Sequence, residues 1–160
     1  HVLDEDYYKR IEAIQFTMNH DDGKKNEDVE KADIILLGVS RTSKTPTSVY
    51  LANRGFKTLN IPLVLDQKIP DFLKTNSNKL CVIGLIADPE RLAEIRKTRA
   101  NTNNNIDLKL YTNVEKIKEE VDRSKTMFKK FNWPIIDVTR RSVEETAASI
   151  IKIYEIKKNK

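Results

Sequence analysis

The stretch ADIILLGVSRTSKTPTSVYLANRGFKTLNIPLV, residues 32–64, decides the fold. Its opening ADIILLGV is short, branched and continuously apolar, the composition of a strand buried on both faces. From Lys44 to Arg54 the pattern turns helical, with Val49 and Leu51 expected inward and Gly55 placed to stop the helix. KTLNIPLV is a second strand. Strand, helix and strand within so few residues imply a parallel βαβ unit.

Working outward, KLCVIGLIA is a third strand that ends at Asp88, a good N-cap, with Pro89 at the first position of the helix PERLAEIRKTRA. NTNNN reads as a loop. NVEKIKEEVDRSKTMFKKF spaces Val114, Ile117, Val121 and Phe128 as a helical stripe. WPIIDVT is a fourth strand, with Trp133 packing where it begins. The final helix, SVEETAASIIKIYEI, starts from a capping box, Ser142 with Glu145 three residues on. On the N-terminal side, residues 4–17 read as a helix with Tyr7, Ile11 and Ile14 at helical intervals and acids early. NHDDGKKNED then breaks it. The fold class is α/β, a mostly parallel sheet with helices on both faces.

Composition agrees. The 160 residues, 39% apolar and 33% charged, suit one globular domain over residues 1–160 with a well-solvated surface. No apolar run approaches the roughly 18–20 residues that cross a bilayer. A formal charge of +5, interleaved with acids, suits a phosphate-bearing ligand better than nucleic acid. The single cysteine, Cys81, sits in an apolar run and reads as a buried reduced thiol, which points to the cytoplasm. The chain opens on His1 and turns helical almost at once, so it reads as a piece of a longer protein.

Between strand and helix lies GVSRTSKT, Gly38 to Thr45. It follows the phosphate-loop pattern G-x-x-x-x-G-K-[ST] except at Ser43, and a buried strand before and a helix after are the context that pattern requires. Such a turn aims backbone N–H groups inward and adds the positive end of a helix. Lys44 would bring a point charge to the terminal phosphate, Thr45 would ligate Mg²⁺ or bond a phosphate oxygen, and Arg41 would add a forked donor. Ser43 stands against this reading, because the usual glycine tolerates backbone angles that cost serine energy. An ordinary polar turn with an N-cap threonine remains the alternative.

The same segment resembles the central part of the bacterial and plant regulatory proteins of pyruvate, phosphate dikinase and phosphoenolpyruvate synthase. The resemblance continues in LDEDYYKRIEAIQF…HDDG, DPERLAEIRKTR and WPIIDVTRRSVEETAASII, nearly the whole chain. It implies a phosphate-loop-kinase-like catalytic domain, the C-terminal part of a longer protein. It also implies a bifunctional enzyme: ADP-dependent phosphorylation of a target threonine, and phosphate-dependent removal that yields pyrophosphate. The family pattern carries serine at the position of Ser43. By this resemblance Gly38, Val39, Ser40, Arg41, Thr42, Ser43, Lys44 and Thr45 form the ADP-binding loop, with inorganic phosphate using the same pocket. The target would be pyruvate, phosphate dikinase or, alternatively, phosphoenolpyruvate synthase, and a homodimer is compatible with it. A small-molecule kinase of phosphate-loop type and a non-catalytic ADP-sensing adaptor are the competing functions.

Transfer to a hydroxyl wants a carboxylate to take the proton. Asp21 and Asp22 in HDDG are the local source, although adjacent acids in a turn are ordinarily solvated or cap it. The resemblance favours Asp22, then Asp21, as catalytic beside Lys44; His20 reads as a turn residue. Asp88 and Asp137 each end a strand, where many nucleotide hydrolases carry a metal-orienting acid; an N-cap for Asp88 and capping or turn formation for Asp137 are the favoured readings. Arg96 and Arg99 share a side of their helix, where a charged solvent face is the default and substrate contact the sharper alternative.

Overall fold

The computed structural model describes residues 5–19, 31–63, 73, 80–100 and 113–159, with the backbone alone at positions 99 and 100. In chain order the elements are α1 (Glu5–Asn19), β1 (Ile34–Gly38), α2 (Lys44–Asn53), β2 (Thr58–Pro62), β3 (Cys81–Ile86), α3 (Pro89–Ala100), α4 (Val114–Lys130), β4 (Ile135–Asp137) and α5 (Val143–Lys158). The breaks read at residues 20–28 and 101–105 lie outside the described residues.

Ile34, Ile35, Leu36 and Leu37 leave β1 no polar face, and all five of its residues are buried. It runs inside a four-stranded sheet of order β2-β1-β3-β4 in which every pairing is parallel. Ile34 stands opposite both Thr58 of β2 and Cys81 of β3. From β1 the chain steps to one side to reach β2, while β3 to β4 steps the other way. Right-handed crossovers in opposite directions put their helices on opposite faces. Accordingly α1, α2 and α5 cover one face, and α3 and α4 the other. Ligands of such sheets bind where the strand order reverses, outside the carboxyl ends of the strands. Here that point is the end of β1 beside β3.

Helix stops and starts follow local chemistry. Gly55 takes φ 93° just past α2, a left-handed conformation that glycine adopts without a Cβ penalty. Asn113 Oδ1 accepts from the N–H groups of Glu115 and Lys116 at the start of α4. Ser142 Oγ accepts from Glu145 N at 3.1 Å, as the capping box requires. No described helix is long and apolar enough to cross a membrane.

Three packing expectations need correction. In α1 the stripe of Tyr7 and Ile11 is exposed, Ile14 is half-buried, and the buried side is Ala13, Phe16 and Thr17. The small residues let α1 approach α2 and the edge of β2, where Thr17 Oγ1 accepts from Thr58 N at 3.1 Å. Lys57 pairs with Glu12 across the same contact at 2.8 Å, and its ammonium holds the Glu12 carboxyl below the usual range. In α2, Leu51 is buried but Val49 is 45% exposed; two positions along a helix are about 200° apart, so both cannot face inward. In α4, Ile117, Val121 and Phe128 are buried as expected, whereas Val114, in the first turn, is exposed.

Cys81 is a buried free thiol at the start of β3, and burial pushes it up to about 11. Trp133 is buried where β4 begins and stacks on Phe131, with ring centroids 4.8 Å apart. Phe128 lies flat against Gly84 of β3: a Cβ there would fall 2.3 Å from Phe128 Cδ2. Only glycine lets α4 sit this close to the sheet. Gly84→Ala should therefore destabilise the fold by about 1–3 kcal/mol through overpacking, read as a lower urea midpoint, and Phe128→Leu in the same chain should recover part of the loss.

Candidate phosphate-binding site

The site is built at the carboxyl end of β1, where the strand cannot continue. Gly38 is the last strand residue, and its carbonyl accepts from Leu63 N at 2.9 Å. A Cβ at Gly38 would lie 2.6 Å from Thr42 Oγ1 and 2.9 Å from the Leu85 carbonyl oxygen. Residues 39–43 then turn back over the strand end, and α2 begins at Lys44.

Two residues of the turn hold left-handed backbone without being glycine: Arg41 at φ 72° and Ser43 at φ 62°. The expected conflict at Ser43 is thus real, and the loop keeps the glycine-type geometry at serine's expense. The left-handed region costs an L-residue roughly 1–2 kcal/mol. Side-chain bonds hold the turn in place. Thr42 Oγ1 donates to the Val39 carbonyl at 2.9 Å, and Lys44 Nζ donates to the same oxygen at 2.9 Å and to Thr42 Oγ1 at 3.4 Å. Lys44 is only 6% exposed, so its long stem is packed and its ammonium sits inside the turn.

The start of α2 differs electrostatically from the other described helices. Its first turn has no acid, and Ser43 makes no side-chain cap. By contrast α1 carries Glu5 and Asp6, α3 Glu90, α4 Glu115 with the Asn113 cap, and α5 Glu144 and Glu145 with the Ser142 cap. The positive end of α2, equivalent to about half a charge, thus meets neither a first-turn acid nor a Ser43 side-chain cap. A cleft of about 350 Å³ opens beside it, lined among others by Ser40, Arg41, Ser43, Lys44, Thr45 and Ile95. This arrangement can hold an anion with backbone amides, a helix end and an ammonium together. The larger depression, about 460 Å³, lies along the charged outer surface of α4 alone and gathers no such set.

Thr45 is exposed at the mouth, and its Oγ1 accepts from Asn60 Nδ2 at 3.2 Å. Asn60, a buried polar residue in the apolar run of β2, was not singled out by sequence reading, although a lone amide inside such a strand is itself a signal. The Asn60 amide thus ties the Thr45 hydroxyl to β2. Among the described residues no group of three or more metal-type ligands gathers.

Other expected residues are placed differently. Arg96 does not belong to a solvent face: it is 1% exposed, with Nη1 on Glu120 Oε2 at 2.8 Å and Nη2 on the Ser40 carbonyl at 3.2 Å. Glu120 has no sequence signal, because nothing in α4 reveals that it faces α3. Arg91, not Arg96, makes the exposed intrahelical pair, with Glu94 at 3.5 Å. Asp88 caps α3 through Oδ2 on Arg91 N at 3.2 Å, and Asp137 accepts from Thr139 N at 2.9 Å in a turn. Asp21, Asp22 and His20, and the side chain of Arg99, lie outside the described residues.

Comparison with known proteins gives the family of the chain. The family model described as kinase/pyrophosphorylase matches residues 1–151. A protein of Pelagibacter ubique is 65% identical over 159 residues, 99% of this chain and 58% of its own length. Relatives in Erythrobacter litoralis and Wolbachia pipientis are 52% and 51% identical, over 96% and 95% of this chain and 55% of each relative. All three are provisionally named pyruvate, phosphate dikinase regulatory protein. The chain thus spans a little over half the length of the curated relatives it matches.

The strained turn gives a direct measurement. Ser43→Gly should relieve the left-handed cost and, after the greater entropy of the unfolded glycine chain, raise stability by about 0.5–1 kcal/mol. An unchanged or lower urea midpoint would mean that the Ser43 side chain supports the loop.

Proposed function

Because the chain belongs to the kinase/pyrophosphorylase family, we propose that it carries the phosphate-handling catalytic machinery of a bifunctional regulator of pyruvate, phosphate dikinase. In one direction a target threonine is phosphorylated at the expense of ADP and switched off; in the other, inorganic phosphate removes the group and leaves as pyrophosphate. The observation that carries this reading is the uncapped, acid-free start of α2 with Lys44 packed beneath the turn.

The chemistry fits one anion socket. In the forward reaction the threonine oxygen attacks the β-phosphorus of ADP in line, the new O–P bond forms as the bond to the bridging oxygen breaks, and AMP departs. The reverse reaction directs a phosphate oxygen at the phosphorus of the phosphothreonine, which forms the P–O–P bond of pyrophosphate and frees the hydroxyl. Both transfers spread negative charge over the equatorial oxygens of the moving group, so both gain from preoriented N–H donors and the Lys44 ammonium. Lys44 Nζ, 2.9 Å from the Val39 carbonyl, is held at the turn, where it would meet a phosphate bound there. Arg41, exposed on the rim, would fork onto a terminal phosphate. Mg²⁺ at Thr45 would add charge neutralisation, with phosphate oxygens and water as further ligands. Asp22, with Asp21 beside it, would take the threonine proton in the forward direction and return it in the reverse.

Lys44→Ala should lower both activities by at least about a hundredfold, the scale for losing one preoriented charge donor. The check is incubation with purified pyruvate, phosphate dikinase or phosphoenolpyruvate synthase and ADP or ATP, followed by mass spectrometry of the acceptor peptide, and then phosphate-driven release of pyrophosphate. Phosphate removal at wild-type rate in the variant would require two separate sites. Modification with ATP but not ADP would contradict the donor.

A further inference from the structure

Arg96 is the largest fully buried side chain in the described structure, and it ends on the loop, not in the cleft. Its guanidinium bridges three elements. It leaves α3, pairs with Glu120 of α4 at 2.8 Å, and donates to the Ser40 carbonyl, 56 positions back in the chain, at 3.2 Å. Ile95, the preceding residue, lines the cleft itself.

The carbonyl that Arg96 holds belongs to the Ser40–Arg41 peptide. No described peptide is cis, and in a planar trans peptide the N–H points opposite to the C=O. Arg96 is 1% exposed, so the Ser40 oxygen is turned toward the interior. The Arg41 N–H is then turned away from the Arg96 guanidinium, and Ser40, Arg41 and Ser43 all border the cleft. The left-handed Arg41, φ 72°, continues this peptide into the turn, the alternation of backbone hands that makes successive N–H groups converge on an anion.

We propose that Arg96, kept in place by Glu120, is a positioning residue that fixes the orientation of the Ser40–Arg41 peptide and so aims the Arg41 amide at the bound phosphate group. The inference rests on the phosphate-site reading above. Arg96 touches no substrate in this assignment; it acts through the Ser40 carbonyl. Its planar fork serves Glu120 with one nitrogen and Ser40 with the other, which a lysine ammonium on a flexible stem does not reproduce. Glu120, partly open to solvent, supplies the charge that a buried guanidinium needs.

The test uses ¹⁵N-labelled protein titrated with ADP and, separately, with inorganic phosphate, for the wild type, Arg96→Lys and Glu120→Gln. The wild type should bind both, with a shift of the Arg41 amide resonance on phosphate addition. Arg96→Lys should keep the native circular dichroism, weaken ADP about tenfold and lose most of the Arg41 shift, and Glu120→Gln, which keeps an acceptor for Nη1, should fall between. A variant that melts at lower temperature yet binds ADP within twofold of wild type and retains the Arg41 shift would make the pair a structural brace and overturn the proposal. If Arg96→Lys does not fold, the same two readings on Glu120→Gln decide. A wild type that binds neither ADP nor phosphate would instead overturn the phosphate-site reading, which separates the two failures.

Discussion

Everything in this molecule depends on how tightly β1 is enclosed. A strand with no polar face must have neighbours on both edges and helices on both faces, and that requirement sends the two crossovers of the sheet in opposite directions. The end of β1 is consequently the place where the chain must leave the interior abruptly. Gly38 shows how little room there is: Thr42 Oγ1 and the Leu85 oxygen occupy the space of a side chain. The turn over the strand end is tight because the core beneath it is closed.

Bonds within the chain itself hold that turn. Two non-glycine residues stay left-handed, and Thr42 and Lys44 both bond the Val39 carbonyl. Backbone strain of this kind persists only where the surroundings over-determine it. A donor array of fixed shape needs little rearrangement to meet an anion, and reorganisation that is avoided appears as rate or affinity. The distribution of charge follows the same plan, with acids or caps on the first turns of four helices and neither on α2.

Much of this was legible in the residues. The apolar run 34–37, the N-cap and proline at 88–89 and the capping box at 142–145 are local signals whose energetics do not depend on distant partners, and the structure keeps all three. The parallel order followed from alternation of strands and helices. What was not legible depended on contacts far apart in sequence. Periodicity marked Tyr7, Ile11 and Ile14 as a stripe but could not say that α1 would bury Ala13 and Thr17 instead, where small size permits close approach to β2. Arg96 looked like one more cation on a charged helix, because its partners are 24 and 56 residues away. Asn60 was readable in principle as an amide in an apolar strand, yet its purpose, holding the Thr45 hydroxyl, needs the fold.

The edge strand β2 has a consequence of another kind. On its five residues, the amide of Thr58 is taken by the Thr17 hydroxyl of α1, and Pro62 has no amide hydrogen to offer. A rim with two of its positions closed to donation in this way is a poorer template for a foreign strand. One threonine in the first helix thereby also helps to keep crowded copies of this protein from zipping together along that side.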